Sequence, residues 1–179
     1  DNAVRQMISK FTELHEIDVP KQIDATLRPY QKRGFEWMYR NSKLGFGSII
    51  ADDMGLGKTL QVITLLQHFK NELKTEKSSK KKKNTGFAII IVPTTLIANW
   101  QAELQRFAPK LGCFVYHGPS RDIANYNTDL LLTTYGVVRS DISILKKIHW
   151  HTAIIDEAQN IKNSNTAQSK DTFGVERNA

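Results

Sequence analysis

Apolar residues recur along this chain with two different spacings, and the spacing changes from one stretch to the next. Val4, Met7, Phe11 and Leu14 lie three or four residues apart, which predicts an amphipathic N-terminal helix ended by Val19-Pro20. Leu27-Arg28-Pro29 opens a second helix running through Tyr30, Gly34, Trp37 and Met38. Proline suits its first turn, where the missing N–H costs nothing. Five short apolar runs predict strands at Gly47 to Asp52, Phe87 to Val92, Cys113 to Tyr116, Asp129 to Thr134 and Thr152 to Asp156. Most are continuously apolar rather than alternating, the pattern of a parallel sheet covered on both faces. Helical spacing returns between them, from Lys58 to Leu73, Thr95 to Phe107 and Val137 to Ile148. Strand and helix therefore alternate, which predicts an α/β fold.

Composition narrows the class. The chain has 179 residues, 40% apolar and 24% charged, enough for one good core. No apolar stretch approaches the length of a membrane span, and Asp1-Asn2-Ala3-Val4-Arg5-Gln6 has no features of a secretory signal. A cytoplasmic or nuclear, membrane-free protein is expected, and a monomer. Cys113 is the only cysteine, so no internal disulfide forms, and its apolar surroundings predict a buried structural thiol. The net charge is +7, but five lysines fall between Lys77 and Lys83, and the remainder carries only +2. That run reads as a self-repelling surface loop, with a phosphate-contacting arm as the alternative.

The chemistry concentrates in two motifs. Ala51-Asp52-Asp53-Met54-Gly55-Leu56-Gly57-Lys58-Thr59 follows an apolar run and opens a helix, the setting a phosphate-binding loop requires. Gly55 and Gly57 allow a tight turn with N–H groups facing inward, Lys58 reaches the β- and γ-phosphates, and the Thr59 hydroxyl completes a Mg²⁺ shell. The strict pattern places glycine where this chain has Asp52; the match is to the helicase-like form ending Gly-x-Gly-Lys-Thr. The second motif, Ile154-Ile155-Asp156-Glu157-Ala158-Gln159, is an apolar strand ending in two carboxylates. In a parallel sheet such a strand end faces the ligand. Asp156 would hold Mg²⁺ through water, and Glu157 would orient and deprotonate the water that attacks the γ-phosphate.

Taken in order, Leu27-Arg28-Pro29-Tyr30-Gln31, the phosphate loop, Val92-Pro93 with Asn99-Trp100, Leu132-Thr133-Thr134-Tyr135, and Asp156-Glu157-Ala158-Gln159 followed by Asn160-Ile161-Lys162-Asn163 carry a family pattern. From Leu27 to Gln168 the chain resembles the first RecA-like lobe of a superfamily-two helicase-like ATPase of the Swi/Snf branch. The resemblance implies a RecA-like three-layer sandwich with a mainly parallel sheet, an incomplete lobe, N-terminal helices over residues 1–24 and the ATP-binding lobe over residues 25–179. It implies ATP and Mg²⁺ as cofactors, with Gln31 reading adenine and Asp53, Met54, Gly55, Leu56, Gly57, Lys58, Thr59 and Leu60 lining the nucleotide. Lys58, Asp156 and Glu157 would be catalytic, with Thr59 and Asp156 on the metal. Thr94 and Thr95, and similarly Thr133 and Thr134, would grip DNA phosphates; by themselves the pairs read equally well as helix caps or strand ends. Trp100 reads as core rather than as a base-stacking platform.

The same resemblance implies double-stranded DNA and a second RecA-like lobe as partners. That lobe and a Ser/Thr-Gly-Thr-Pro motif are not in this sequence. A γ-phosphate arginine from such a lobe contributes on the order of 10³ to 10⁵ in rate, so the lobe by itself is expected to be nearly inactive. Two other readings stay open: a phosphate-loop ATPase acting on RNA or protein, and a non-catalytic interaction module.

Overall fold

Sheet order, more than any single element, decides what this chain places together. The computed structural model describes residues 16–51, 55–75 and 85–158. The chain divides into two units, residues 1–75 with 106–108, and residues 76–105 with 109–179. The expected N-terminal helix at Val4 to Leu14 and the Lys77 to Lys83 run lie outside the described residues.

Among the described residues the second unit holds a four-stranded, all-parallel sheet of β1 (Thr85–Val92), β2 (Cys113–Val115), β3 (Leu130–Thr134) and β4 (His149–Ile155), in the order β2-β3-β1-β4. The α/β expectation therefore holds. β1 and β3 are buried along nearly their whole length because helices cross between parallel strands and cover them. On one face Ile89, Ile91 and Leu131 pack with Tyr116 and with Val137, Val138 and Leu145 of helix Tyr135–Leu145. On the other, Ala88, Ile90, Val92, Leu130 and Leu132 are fully buried. β4 departs from expectation: it alternates exposed and half-buried residues, and Ile155 is 36% exposed. Among the described residues it pairs with β1.

Helix α1 (Pro29–Lys43) and helix α2 (Lys58–Thr75) belong to the first unit. α1 starts on proline as expected, and the Arg28 N–H donates to Gln31 Oε1 at 2.9 Å, satisfying one of the amides a helix start leaves open. α2 is buried almost all round from Leu60 to Phe69, with Ile63 and Leu66 at zero exposure. The strand expected at Gly47 to Asp52 does not form. Residues 46–51 have no regular secondary structure, Asp52 is outside the described residues, and Ile49 is 85% exposed. β-branched residues favour extended backbone, but a strand needs a neighbour for its N–H and C=O groups, and local sequence does not record whether one exists.

Helix α3 (Ile97–Phe107) follows a 3-10 turn at Thr94–Leu96, and helix α4 (Tyr135–Leu145) follows β3 directly. α4 bends at Asp141, whose φ and ψ are −113° and 18°. There the Asp141 carboxylate takes two hydrogen bonds from Arg121, at 2.7 and 2.9 Å, and one from the Tyr116 hydroxyl at 2.7 Å. The Arg121 guanidinium holds the Asp141 carboxyl well below the usual carboxylate range. Cys113 is half-buried rather than fully buried, and burial pushes its thiol up to about 11, so it remains a thiol.

Candidate phosphate loop and acidic pair

In the first unit the chain turns sharply before α2. Gly55 and Gly57 have φ of +86° and +72°, the left-handed region that side chains avoid. α2 opens immediately at Lys58, so Lys58, Thr59 and Leu60 form its first turn, the end of a helix whose dipole favours an anion. Asp53 and Met54 lie outside the described residues. Gln31 is buried at 7% exposure and reaches this turn: its Nε2 donates to the Leu56 carbonyl at 3.2 Å. The Tyr30 hydroxyl donates to the same carbonyl, also at 3.2 Å. A Cβ on Gly57 would sit 2.3 Å from Gln31 Nε2, so glycine there serves close approach as well as backbone sign. The Gln31 amide keeps one N–H and one lone pair unspent, which is what a purine edge asks of it.

In the second unit, register brings the strand ends together. Ile91 pairs with Thr133 on one side and with Ile155 on the other, and Val92 pairs with Thr134. Pro93 to Thr95, Thr133 to Tyr135 and Asp156-Glu157 therefore emerge at one edge of the sheet, the carboxyl end where open α/β sheets bind ligands. The Asp156 N–H donates to Ile91 O at 3.0 Å, extending the ladder past β4. Its carbonyl accepts from the Tyr135 hydroxyl at 2.5 Å. Burial, reinforced by the Asp156 and Glu157 charges, pushes the Tyr135 hydroxyl up to about 12 and keeps it a donor. Asp156 Oδ1 accepts from the Glu157 N–H at 2.9 Å, and Oδ2 from the Trp100 indole N–H at 2.8 Å.

Glu157 has φ of +52°, a left-handed conformation for a residue that carries a Cβ. Such a conformation costs on the order of 1 to 2 kcal/mol and persists only where surrounding contacts impose it. Here the Asp156 side chain bonds the amide of the strained residue itself.

Thr94 and Thr95 are exposed in the 3-10 turn before α3. Thr133 and Thr134 are buried and spent within the fold: the Thr133 hydroxyl donates to Tyr116 O at 2.8 Å, and Thr134 Oγ1 caps α4 by accepting from Val137 N at 3.3 Å. Trp100 is buried at 2% exposure, as a core residue should be, but its bond to Asp156 was not legible in sequence. A buried indole signals that its N–H needs an acceptor; the identity of that acceptor is a tertiary fact.

The family model for the SNF2-related domain matches residues 30–176. The chain belongs to the SNF2-related family. YwqA of Bacillus subtilis is 42% identical over 176 residues, covering 93% of this chain and 18% of that protein. Nuclear protein STH1/NPS1 of Saccharomyces cerevisiae is 38% identical over 160 residues, covering 86% of this chain and 11% of that protein. Among solved structures, the Sulfolobus solfataricus SWI2/SNF2 ATPase core in complex with dsDNA aligns with a TM-score of 0.74 and 40% identity, over 88% of this chain and 31% of that one. The chain thus spans less than a fifth of the length of these two sequence relatives and about a third of the solved core.

Proposed function

We propose that this chain is the ATP-binding lobe of a DNA-dependent ATPase that hydrolyses ATP to move on double-stranded DNA. The observation that carries the reading is the left-handed turn at Gly55 and Gly57 running straight into α2 at Lys58. Such a backbone is suited to presenting amides and a lysine to a polyphosphate. YwqA is named as an ATP-dependent helicase/translocase, and the aligned Sulfolobus core was captured on dsDNA, which supports DNA over RNA or protein as the partner.

In the proposed reaction Lys58 neutralises charge on the β- and γ-phosphates, and Gln31 reads adenine. Thr59 and Asp156 are the residues proposed for Mg²⁺; each Asp156 oxygen accepts one N–H and keeps lone pairs for a metal-bound water, so that carboxylate fits the ion. The ion would supply charge neutralisation at the phosphates. Glu157 orients the attacking water and takes its proton. Thr94 and Thr95, exposed at the carboxyl edge, contact DNA phosphate, while Thr133 and Thr134 shape that edge from beneath.

Residues 1–24 form an extension to this lobe, and a second RecA-like lobe completes the motor. The lobe by itself turns over slowly and is monomeric. The protein works in the cytoplasm or the nucleus. Among the described residues no helix is long and apolar enough to cross a membrane.

The test is the ATPase rate of this chain and of the full-length protein, with and without duplex DNA and with Lys58→Ala as the blank. Strong duplex stimulation confined to the full-length protein supports the reading. Lys58-dependent turnover indifferent to duplex DNA favours an RNA or protein partner, and no Lys58-dependent turnover in either form refutes an ATPase.

A further inference from the structure

We propose that Trp100 is a positioning residue for Asp156, and that through it α3 couples the exposed Thr94-Thr95 turn to the acidic pair. The inference rests on the functional reading above and extends it to how DNA contact is felt at the carboxylate. Asp156 is held at four points. Its N–H bonds β1 at Ile91 O, its carbonyl takes the Tyr135 hydroxyl at the start of α4, Oδ1 takes the Glu157 amide, and Oδ2 takes the Trp100 indole. The first two fix backbone and the third is local. Of the four, the last ties the carboxylate itself to a helix.

That helix carries the exposed hydroxyls. Thr94 and Thr95 form the 3-10 turn that continues directly into α3, and Trp100 lies five residues beyond Thr95, roughly 8 Å along a helical path. The indole is a donor with no acceptor capacity, and at 2% exposure it has no water to fall back on. A shift or rotation of α3 therefore moves the one hydrogen bond that orients Oδ2, while the ladder holds the Asp156 backbone still.

A second tryptophan in the same unit supplies the contrast. Trp150 spends its indole N–H on a backbone carbonyl, Leu145 O, at 3.1 Å, the ordinary solution for a partly buried tryptophan. Trp100 spends its own on the carboxylate assigned to the metal. Packing requires the ring of Trp100 but does not require its nitrogen to meet Asp156.

Two variants separate nitrogen from ring: Trp100→Phe, and replacement of Trp100 by its benzothiophene analogue, which keeps the bicyclic shape and puts sulfur where the N–H was. The first readout needs no turnover. The indole ¹H–¹⁵N resonance of Trp100, assigned by its loss in Trp100→Phe, should move on Asp156→Asn while those of Trp37 and Trp150 stay in place. A resonance indifferent to Asp156→Asn overturns the positioning claim.

The second readout is the ATPase of the full-length protein. Both variants should raise the Mg²⁺ concentration for half-maximal rate at least five-fold and cut duplex stimulation at least five-fold, with the KM for ATP at saturating Mg²⁺ within two-fold. Unchanged Mg²⁺ dependence and stimulation in the benzothiophene variant overturn the coupling, as does a uniform loss that follows only the folded fraction. Absence of Lys58-dependent turnover in the unmodified protein overturns the functional reading and the coupling with it, and the resonance still decides the bond.

Discussion

Gln31 is the residue at which a structural and a recognition role meet, and Gln31→Ala separates them. The substitution removes two hydrogen bonds, Arg28 N–H to Oε1 at 2.9 Å and Nε2 to Leu56 O at 3.2 Å. A neutral hydrogen bond contributes about 1 kcal/mol net, which sets an upper figure of about 2 kcal/mol for the pair. Two features lower it. Arg28 is exposed, so its freed N–H rehydrates, and Leu56 O keeps the Tyr30 hydroxyl as a donor. Alanine also gains a few tenths of a kcal/mol in helix propensity. The expected loss is therefore about 1 kcal/mol in urea unfolding. Gln31→Glu keeps an acceptor for Arg28 N–H and loses the donor to Leu56 O, and it should fall between the two.

Recognition adds a separate signal. A bidentate amide on adenine supports about 1 to 3 kcal/mol of base discrimination, so Gln31→Ala should reduce the preference for ATP over GTP by about five-fold to about 150-fold in competition binding. Equal weakening of ATP and GTP would refute the adenine role and leave Gln31 as a brace for the turn. An unfolding midpoint identical to that of the parent would refute the brace.

Glu157→Gln should leave ATP affinity within two-fold and abolish turnover; retained turnover would remove Glu157 as the base. Glu157→Gly should also abolish turnover yet raise stability by about 1 kcal/mol, because glycine accepts φ of +52° without strain. Gly57→Ala should weaken ATP binding and destabilise the chain by about 1 to 2 kcal/mol, since it places a Cβ at φ +72° and against Gln31 Nε2; unaltered ATP binding would show that the turn does not hold phosphate. Burial holds the His68 imidazole below its usual value of about 6.5, between the rings of Phe35 and Tyr39 and beside Glu72 and Lys43. The unfolded chain then binds the proton more readily, so stability should begin to fall as pH drops through about 6.5, and His68→Phe should remove that loss. The depressed Asp141 carboxyl acts in a separate window: its contribution is present above the ordinary carboxylate range and is lost as pH falls below about 4, an arm that Asp141→Asn should flatten.

Much of this protein could be read from one line of sequence because its signals are local. A proline at a helix start, continuously apolar runs and a glycine pair ahead of Lys-Thr each act through the backbone of a few neighbouring residues. Those signals placed α1, α2, α3, α4 and the four strands to within a few residues, and the left-handed turn at Gly55 and Gly57. The family was legible for a related reason: motif order survives in the chain however it folds.

What sequence did not reveal was whatever needed a partner. The apolar run at residues 47–51 has the composition of a strand but not a strand's hydrogen bonds, and the apolar residues of β4 are covered only in part. Two adjacent threonines, Thr133 and Thr134, read alike in sequence; the fold buries Thr133 under Tyr116 O and spends Thr134 on a cap. The bond from Trp100 to Asp156 spans 56 positions of sequence. Periodicity determined which residues turn inward; only the tertiary structure decided which polar atoms meet there, because hydrogen bonds depend on the distance and angle between atoms that the chain itself holds far apart.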